Sequence, residues 1–331
     1  MSELYPLKFK PVVKEKIWGG HSLADIYGKN ENGLKNIGES WEISAVSDNL
    51  SVVSNGFLEG NNIEEIIEVY MGDITGDSVY EKFGNEFPLL IKFIESKDVL
   101  SIQVHPGDDL SRKRHHAYGK TEMWYILRSE SDSKIYTGFA EPVTREKYLE
   151  ALNNDTLPDL LNVEKAAAGD AFFTPAGRIH AIGAGLVLVE IQQTSDITYR
   201  IYDWGRVGLD GNPRELHTDL ALDAIDFKAA GPNKIRLEPE DNKTLNLVRS
   251  AYFNTNILRF NEIIEKDYNL IDSFVIYICT EGRFVINWNN SSEMVTKGET
   301  ALIPASIREI TLKPEKETTL LEIYIDQNQI K

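Results

Sequence analysis

Short apolar or alternating runs dominate this chain: "PLLIKFI", "LSIQV", "EMWYIL", "KIYTGF", "DAFFTPA", "LVLVEIQQ", "SFVIYICT", "RFVINW", "TALIPA" and "TTLLEIYI". Gly, Asp and Asn separate them, which is the punctuation of many short strands. Helical periodicity is confined to three stretches. Residues 61–73 carry an Asn cap, acids in the first turn and apolar residues at helical spacing. Residues 144–154 are capped by Thr144, and residues 218–227 form a shorter third stretch. The pattern predicts a mainly β fold, a jelly-roll type of sandwich or barrel with a few short helices.

An internal repeat sharpens that expectation. "AGDAFFTPAGRIHAI" from Ala168 and "KGETALIPASIREIT" from Lys297 both run from Gly-acid through apolar residues to Pro-Ala. Each follows an apolar strand, "EMWYIL" or "SFVIYI". Two copies of one β unit are predicted, the second starting near residue 240. Aligned on Gly169 and Gly298, His180 falls opposite Glu309, and Glu122 falls near Ser273. The second copy therefore lacks whatever chemistry His180 and Glu122 perform, and a structural role is expected for it.

Alternate residues of a strand share a face, so Gln103 and His105 in "LSIQVHPGD" point one way while Ile102 and Val104 point the other. Glu122 opens a further strand, and His180 follows the first Pro-Ala turn. Two imidazoles, a carboxylate and an amide oxygen suit zinc, and equally iron or manganese, with positions left open for water or substrate. In "TSDITYRIYDWGR", Asp196, Thr198 and Arg200 alternate onto one face. Arg200 either pairs with Asp196 or is a cation aimed into a pocket. Lys120, two residues before Glu122, shares its face, and a nearby dication would depress its pKa towards that of a neutral-amine base. "RKRHHAYGK" is the one basic cluster, a solvated loop or a phosphate-steering loop.

Composition narrows the function classes. The chain of 331 residues is longer than one core usually serves. Its 35 basic and 52 acidic residues leave a net charge of −17, a surface that repels nucleic acid and anionic membranes. No run approaches the ~18 apolar residues of a membrane span, and the first residues show no secretory apolar core. A single cysteine, Cys279, fits a reducing cytoplasm and lies in an apolar strand, so it is not expected to act as a nucleophile. Walker, GxGxxG, GxSxG and CxxC patterns are absent.

Several long motifs agree in order with one family. "KIWGG", "IGESWEISA", "FPLLIKFIESKDVLSIQVHPGDD", "GKTEMWYIL", "GDAFFTPAGRIHAIGAGLVLVEIQQTSDITYRIYDWGR" and "RELHTDLALDAI" resemble the type I mannose-6-phosphate isomerases, in the short bacterial branch of that cupin family. The likeness runs from about residue 14 to residue 226. It implies two cupin-type jelly-roll units: a catalytic domain with helical insertions over 1–235 and a degenerate second unit over 236–331. It also implies one zinc ion per subunit at Gln103, His105, Glu122 and His180, although the short branch is commonly described with only the two histidines and the glutamate. Arg200 would be the catalytic arginine, with Lys120 and Asp196 lining the site. The implied reaction interconverts mannose 6-phosphate and fructose 6-phosphate. Through an enediolate, one base, Lys120 or Asp196, would ferry the proton, with Lys120 preferred and Asp196 then orienting Arg200. A cytoplasmic monomer or homodimer acting on a small molecule is expected. Long members carry a histidine where this chain has Gly119, and His116 and His217 are the candidates to replace it. A different metal cupin, such as an iron dioxygenase, would give Arg200 and Lys120 no role. A non-enzymatic sugar-phosphate binder would not require the complete ligand set.

Overall fold

Strand Leu186–Gln193 is buried along all eight residues, which is why its sequence reads as a nearly continuous apolar run. In the computed structural model, which describes residues 3–30, 33–229, 231 and 233–329, it forms the middle of a seven-stranded sheet. The order is Lys234–Arg236, Asp170–Thr174, Glu122–Ser129, Leu186–Gln193, Leu89–Ser96, Ile37–Ile43 and Val12–Gly20. A five-stranded sheet accompanies it, in the order Tyr199–Tyr202, Ile102–Val104, His180–Ile182, Lys134–Phe139 and Leu161–Lys165. Between the two sheets, Trp18, Ile94, Trp124 and Leu188 meet Leu100, Ile135 and Ile182. The outward residues of the smaller sheet, Ile102, Val104, Tyr199 and Ile201, pack on Tyr148, Leu157 and Ala221.

The second unit repeats this plan. Its five-stranded sheet runs Lys243–Arg249, Asn254–Phe260, Thr318–Tyr324, Val275–Glu281 and Thr300–Ile303. A four-stranded sheet of Ile264–Asp267, Glu309–Pro314, Arg283–Trp288 and Ser291–Thr296 completes it. Register confirms the internal repeat: Glu190 pairs with Lys92 and Trp124, and Glu322 pairs with Asn256 and Tyr277 in the matching strands. The same register sets Val275 opposite Ile303 where Glu122 lies opposite Thr174. Val275, rather than Ser273, is thus the counterpart of Glu122, and it has no ligand atom. Apolar residues of both units, among them Phe93, Met123, Ile191, Phe253, Phe274 and Ile276, belong to one continuous core.

Two predicted helices form with their predicted caps. In Ile63–Tyr70 the Asn62 side chain accepts from the Glu64 and Glu65 amides, and Glu65 returns the bond to Asn62. In Arg145–Asn153 the Thr144 hydroxyl accepts from the Lys147 amide. The third shrinks to Thr218–Ala221. Helices Ser22–Tyr27, Asp77–Phe83 and Asp108–His115 were not anticipated. The last of these takes the first four residues of the basic cluster, Arg112 to His115, into a helix instead of a loop. It offers only Leu110 as an apolar residue, so it shows no periodicity. Its charges are nevertheless those of a helix, Asp108 and Asp109 in the first turn and four basic residues in the last. No helix among the described residues is long and apolar enough to cross a membrane. Cys279 is buried, and that burial pushes its thiol up to about 12, as expected of a residue without a nucleophilic role.

Candidate metal centre and substrate cavity

Pairing register brings the candidate ligands together. His180 lies directly opposite Gln103 on adjacent strands, and Arg200 faces Gln103 from the other side. Ile102 and Val104 enter the core behind the sheet, so Gln103 faces inward, and His105 does so one residue past the strand end. Pro106, which has no N–H to extend the ladder, then turns the chain into helix Asp108–His115. Glu122 comes from the opposite sheet, at the first residue of its strand.

The three side chains converge head-on. His105 Nε2 is 3.4 Å from Glu122 Oε2, and His180 Nε2 is 3.2 Å from Glu122 Oε1. Each imidazole has its Nδ1 at a backbone carbonyl, His105 at Ile197 O (2.9 Å) and His180 at Arg178 O (2.8 Å). A carbonyl only accepts, so Nδ1 carries the proton and a neutral ring presents a bare lone pair at Nε2. The rings are neutral: burial, reinforced by Lys120, pushes His105 down to about 3, and burial also lowers His180. Burial by itself would raise the Glu122 carboxyl, but the positive charge of Lys120, 3.6 Å away, opposes that and holds it below the usual carboxylate range.

These short contacts are therefore not salt bridges. His105 Nε2 and both Glu122 oxygens are buried without a hydrogen-bond partner, acceptors facing acceptors. Such an arrangement costs free energy unless a cation sits among the lone pairs. The ligand atoms of His105, Glu122 and His180 all lie within 4.8 Å of one another, the scale of a first coordination shell. The amide of Gln103 is at the rim, its nitrogen 3.3 Å from His180 Nε2. The residues present fit a divalent metal, and both histidines have the carbonyl partner that orients metal-bound imidazoles.

A cavity of about 300 Å³ opens beside the cluster, lined by Lys14, Trp41, Gln103, Lys120, Asp196 and Arg200 among others. Lys120 is buried, its Nζ 3.6 Å from Glu122 Oε2, and burial followed by the charge of Lys92 lowers its pKa. Arg200 donates to Glu215 O (2.8 Å), and its buried Nε has no partner. Among the described residues no ion pair or hydrogen bond joins it to Asp196. The expected Asp196–Arg200 orientation is replaced by a main-chain clamp: the Arg200 amide donates to His217 Nδ1 (3.1 Å) and the His217 amide donates to Arg200 O (2.7 Å). His217 is thus placed, although not as a substitute for the missing histidine. His116 is exposed and lines a neighbouring cavity of about 510 Å³ with Arg112 and His115. Asp196 borders both cavities. Of the basic cluster, Arg112, His115 and His116 line this second cavity, while Arg114 turns to Asp223 and the Leu220 carbonyl.

Sequence reasoning passed over Lys92 and Glu190. Buried Lys92 bonds Glu190 Oε1 (2.8 Å) and Gln192 Oε1 (2.7 Å), and Glu190 Oε2 accepts from Trp124 Nε1 (2.9 Å). The Trp124 ring in turn meets His180 edge-on at 5.3 Å. The signal was present: a lysine inside "PLLIKFI" and a glutamate inside "LVLVEIQQ" are the same anomaly as Gln103 in "LSIQV". Lys92→Met leaves Glu190 buried and unpaired, so a loss of about 3–5 kcal/mol in unfolding free energy is expected. An unchanged urea midpoint would show that the pair adds nothing.

Fold and site together define a class, a double jelly roll whose first unit carries a buried His/Glu/His cluster at the edge of a cation-lined cavity. Residues 6–123 match the family model "Phosphomannose isomerase type I, catalytic domain". The mannose-6-phosphate isomerase ManA of Bacillus subtilis is 33% identical over 93% of this chain and 96% of its own. The mannose-6-phosphate isomerase of Streptococcus mutans is 30% identical over 92% and 93%. The crystal structure of a Bacillus subtilis mannose 6-phosphate isomerase superposes with a TM-score of 0.85 at 30% identity, covering 97% of this chain and 100% of that one. The chain belongs to the type I phosphomannose isomerase family.

Proposed function

We propose that the protein interconverts mannose 6-phosphate and fructose 6-phosphate, using one zinc ion per subunit held by His105, Glu122 and His180 with Gln103 beside them. The observation that carries this is the trio of buried, unpartnered acceptors next to a cationic cavity in an otherwise acidic chain. When bound, zinc supplies a Lewis acid for the sugar oxygens. The isomerisation carries a proton between C2 and C1 through an enediolate, and the chain's own groups serve that transfer. Lys120, whose amine is lowered in pKa by burial, takes the proton from one carbon and returns it to the other. Asp196, which lines the same cavity, is the alternative base. Arg200 offers its charge to the developing enediolate oxygen. Lys14 lies 3.3 Å above the Trp41 ring and has no carboxylate partner among the described residues, which suits it to the phosphate dianion.

The test is formation of fructose 6-phosphate from mannose 6-phosphate, followed in a coupled assay; a metal-loaded preparation without turnover refutes the proposal. Lys120→Met is expected to abolish exchange of solvent hydrogen into C2 of the sugar. Persistent exchange in that variant would transfer the base role to Asp196. We further propose the division into a catalytic unit over 1–235 and a second jelly roll over 236–331, and a cytoplasmic monomer or homodimer.

A further inference from the structure

The second jelly roll contributes no metal ligand among the described residues, yet one of its side chains bonds Asp108, which in turn holds the segment that carries Lys120. Tyr252 lies in the turn between strands Lys243–Arg249 and Asn254–Phe260. That turn is tied by Ser250, whose Oγ donates to Phe253 O (2.8 Å) and accepts from the Tyr252 and Phe253 amides (3.2 and 3.1 Å). The Tyr252 hydroxyl donates to Asp108 Oδ2 at 2.9 Å. The other oxygen of Asp108 accepts from the Gly119 amide (2.8 Å) and from Gln193 Nε2 (3.0 Å). Gln193 Oε1 accepts from the Thr121 amide (2.9 Å), and the Lys120 amide donates to Pro106 O (3.2 Å). Three consecutive amides around Lys120 are thus held, two of them through Asp108 or its partner Gln193.

This lattice also explains why Gly119 departs from the histidine of long members. A Cβ at residue 119 would lie 2.6 Å from the Asp108 amide nitrogen and 2.8 Å from the Gly107 carbonyl carbon, closer than any side chain tolerates. The backbone of residue 119 is pressed against the start of helix Asp108–His115 so that Asp108 can reach it. Burial, followed by Asp108, pushes the Tyr252 phenol up to about 12, so it stays a donor at any working pH.

We propose that Tyr252 of the second jelly roll is a positioning residue for Lys120, acting through Asp108 on the Gly119–Thr121 segment. The second unit then completes the active site instead of only flanking it. The proposal rests on the reading of Lys120 as the base.

Tyr252→Phe keeps the ring and removes the hydroxyl, so the metal-loaded full chain should fold. A hydrogen bond to a charged group of this kind is expected to translate into about a tenfold drop in kcat, with KM and metal content unchanged. The loss should disappear in the Lys120→Met background, because the two residues act as a unit. Wild-type kcat in Tyr252→Phe, or the same tenfold loss on top of Lys120→Met, overturns the proposal. A second readout is independent of the base assignment: the acetylation rate of Lys120 by trace acetic anhydride, followed by peptide mass spectrometry. An altered rate in Tyr252→Phe supports the link even if Lys120→Met retains turnover and the base reading falls. An unaltered rate counts against the link in either case.

Discussion

Glu122→Gln is expected to empty the metal centre and to lower turnover by at least about 10³-fold, the scale of several kcal/mol of Lewis-acid stabilisation. The substitution keeps the shape of the side chain but removes the one anion among three neutral or amide groups. It also converts an acceptor into a donor, since the amide nitrogen can bond an imidazole Nε2 at a position where Glu122 leaves both oxygens unpartnered. The metal-free variant should therefore be no less stable than metal-free wild type, which separates loss of the ion from loss of the fold. Metal analysis of the purified variant with the coupled assay decides the matter: a variant that keeps both metal and turnover would place the centre elsewhere. Acid acts on the same cluster. In chelated wild type, His105 is neutral in the folded chain down to about 3, while in the unfolded chain it titrates near its ordinary value of about 6.5. Between those values the unfolded state binds the extra proton, so stability rises with pH and is lost on acidification through that window. Urea midpoints in chelator should fall from pH 7 to pH 5.

Arg200→Ala is expected to cut turnover by about 10²–10³ with the metal retained, the typical cost of removing one preorganised charge donor. The guanidinium is half-buried at the cavity wall, bonded only to the Glu215 carbonyl, and no carboxylate among the described residues neutralises it. Burial, then Arg214, lowers its pKa, but guanidinium remains cationic at any working pH. Its charge is therefore available to an oxygen that becomes anionic during enolisation. Arg200→Lys should recover only part of the loss, because a point charge on a flexible stem cannot reproduce the planar fork held by the Glu215 carbonyl. Near-normal kcat in Arg200→Ala, with unchanged metal content, would remove Arg200 from the mechanism.

The interruption of alternating apolar patterns by polar residues is the informative signal in this chain. It marked Gln103 and His105 because the residues between them were plainly aliphatic. The same signal at Lys92 and Glu190 was absorbed into the long apolar runs around them, and the buried ion pair beside the metal cluster was missed. Helix Asp108–His115 was overlooked because a helix with one apolar residue has no period to detect, although its end charges were correctly arranged. The repeat was visible from its Gly-acid and Pro-Ala frame. Only the ladder register, Ala301 against Tyr277 and Ile303 against Val275, moved the counterpart of Glu122 from Ser273 to Val275.

The sequence by itself determined the β class, the doubled unit and the candidate ligands, because strand alternation and turn chemistry are local and are written in neighbouring positions. Tertiary structure alone decided what faces what. It set His180 opposite Gln103, brought Glu122 across from the other sheet, and turned both Nδ1 atoms to carbonyls so that His105 Nε2 meets two Glu122 oxygens without a donor. It also replaced the expected Asp196–Arg200 contact by the His217 clamp, and it carried Tyr252, 144 residues away in the chain, to Asp108. Contacts of that separation depend on sheet register and on the packing of one unit against another, which no local pattern encodes.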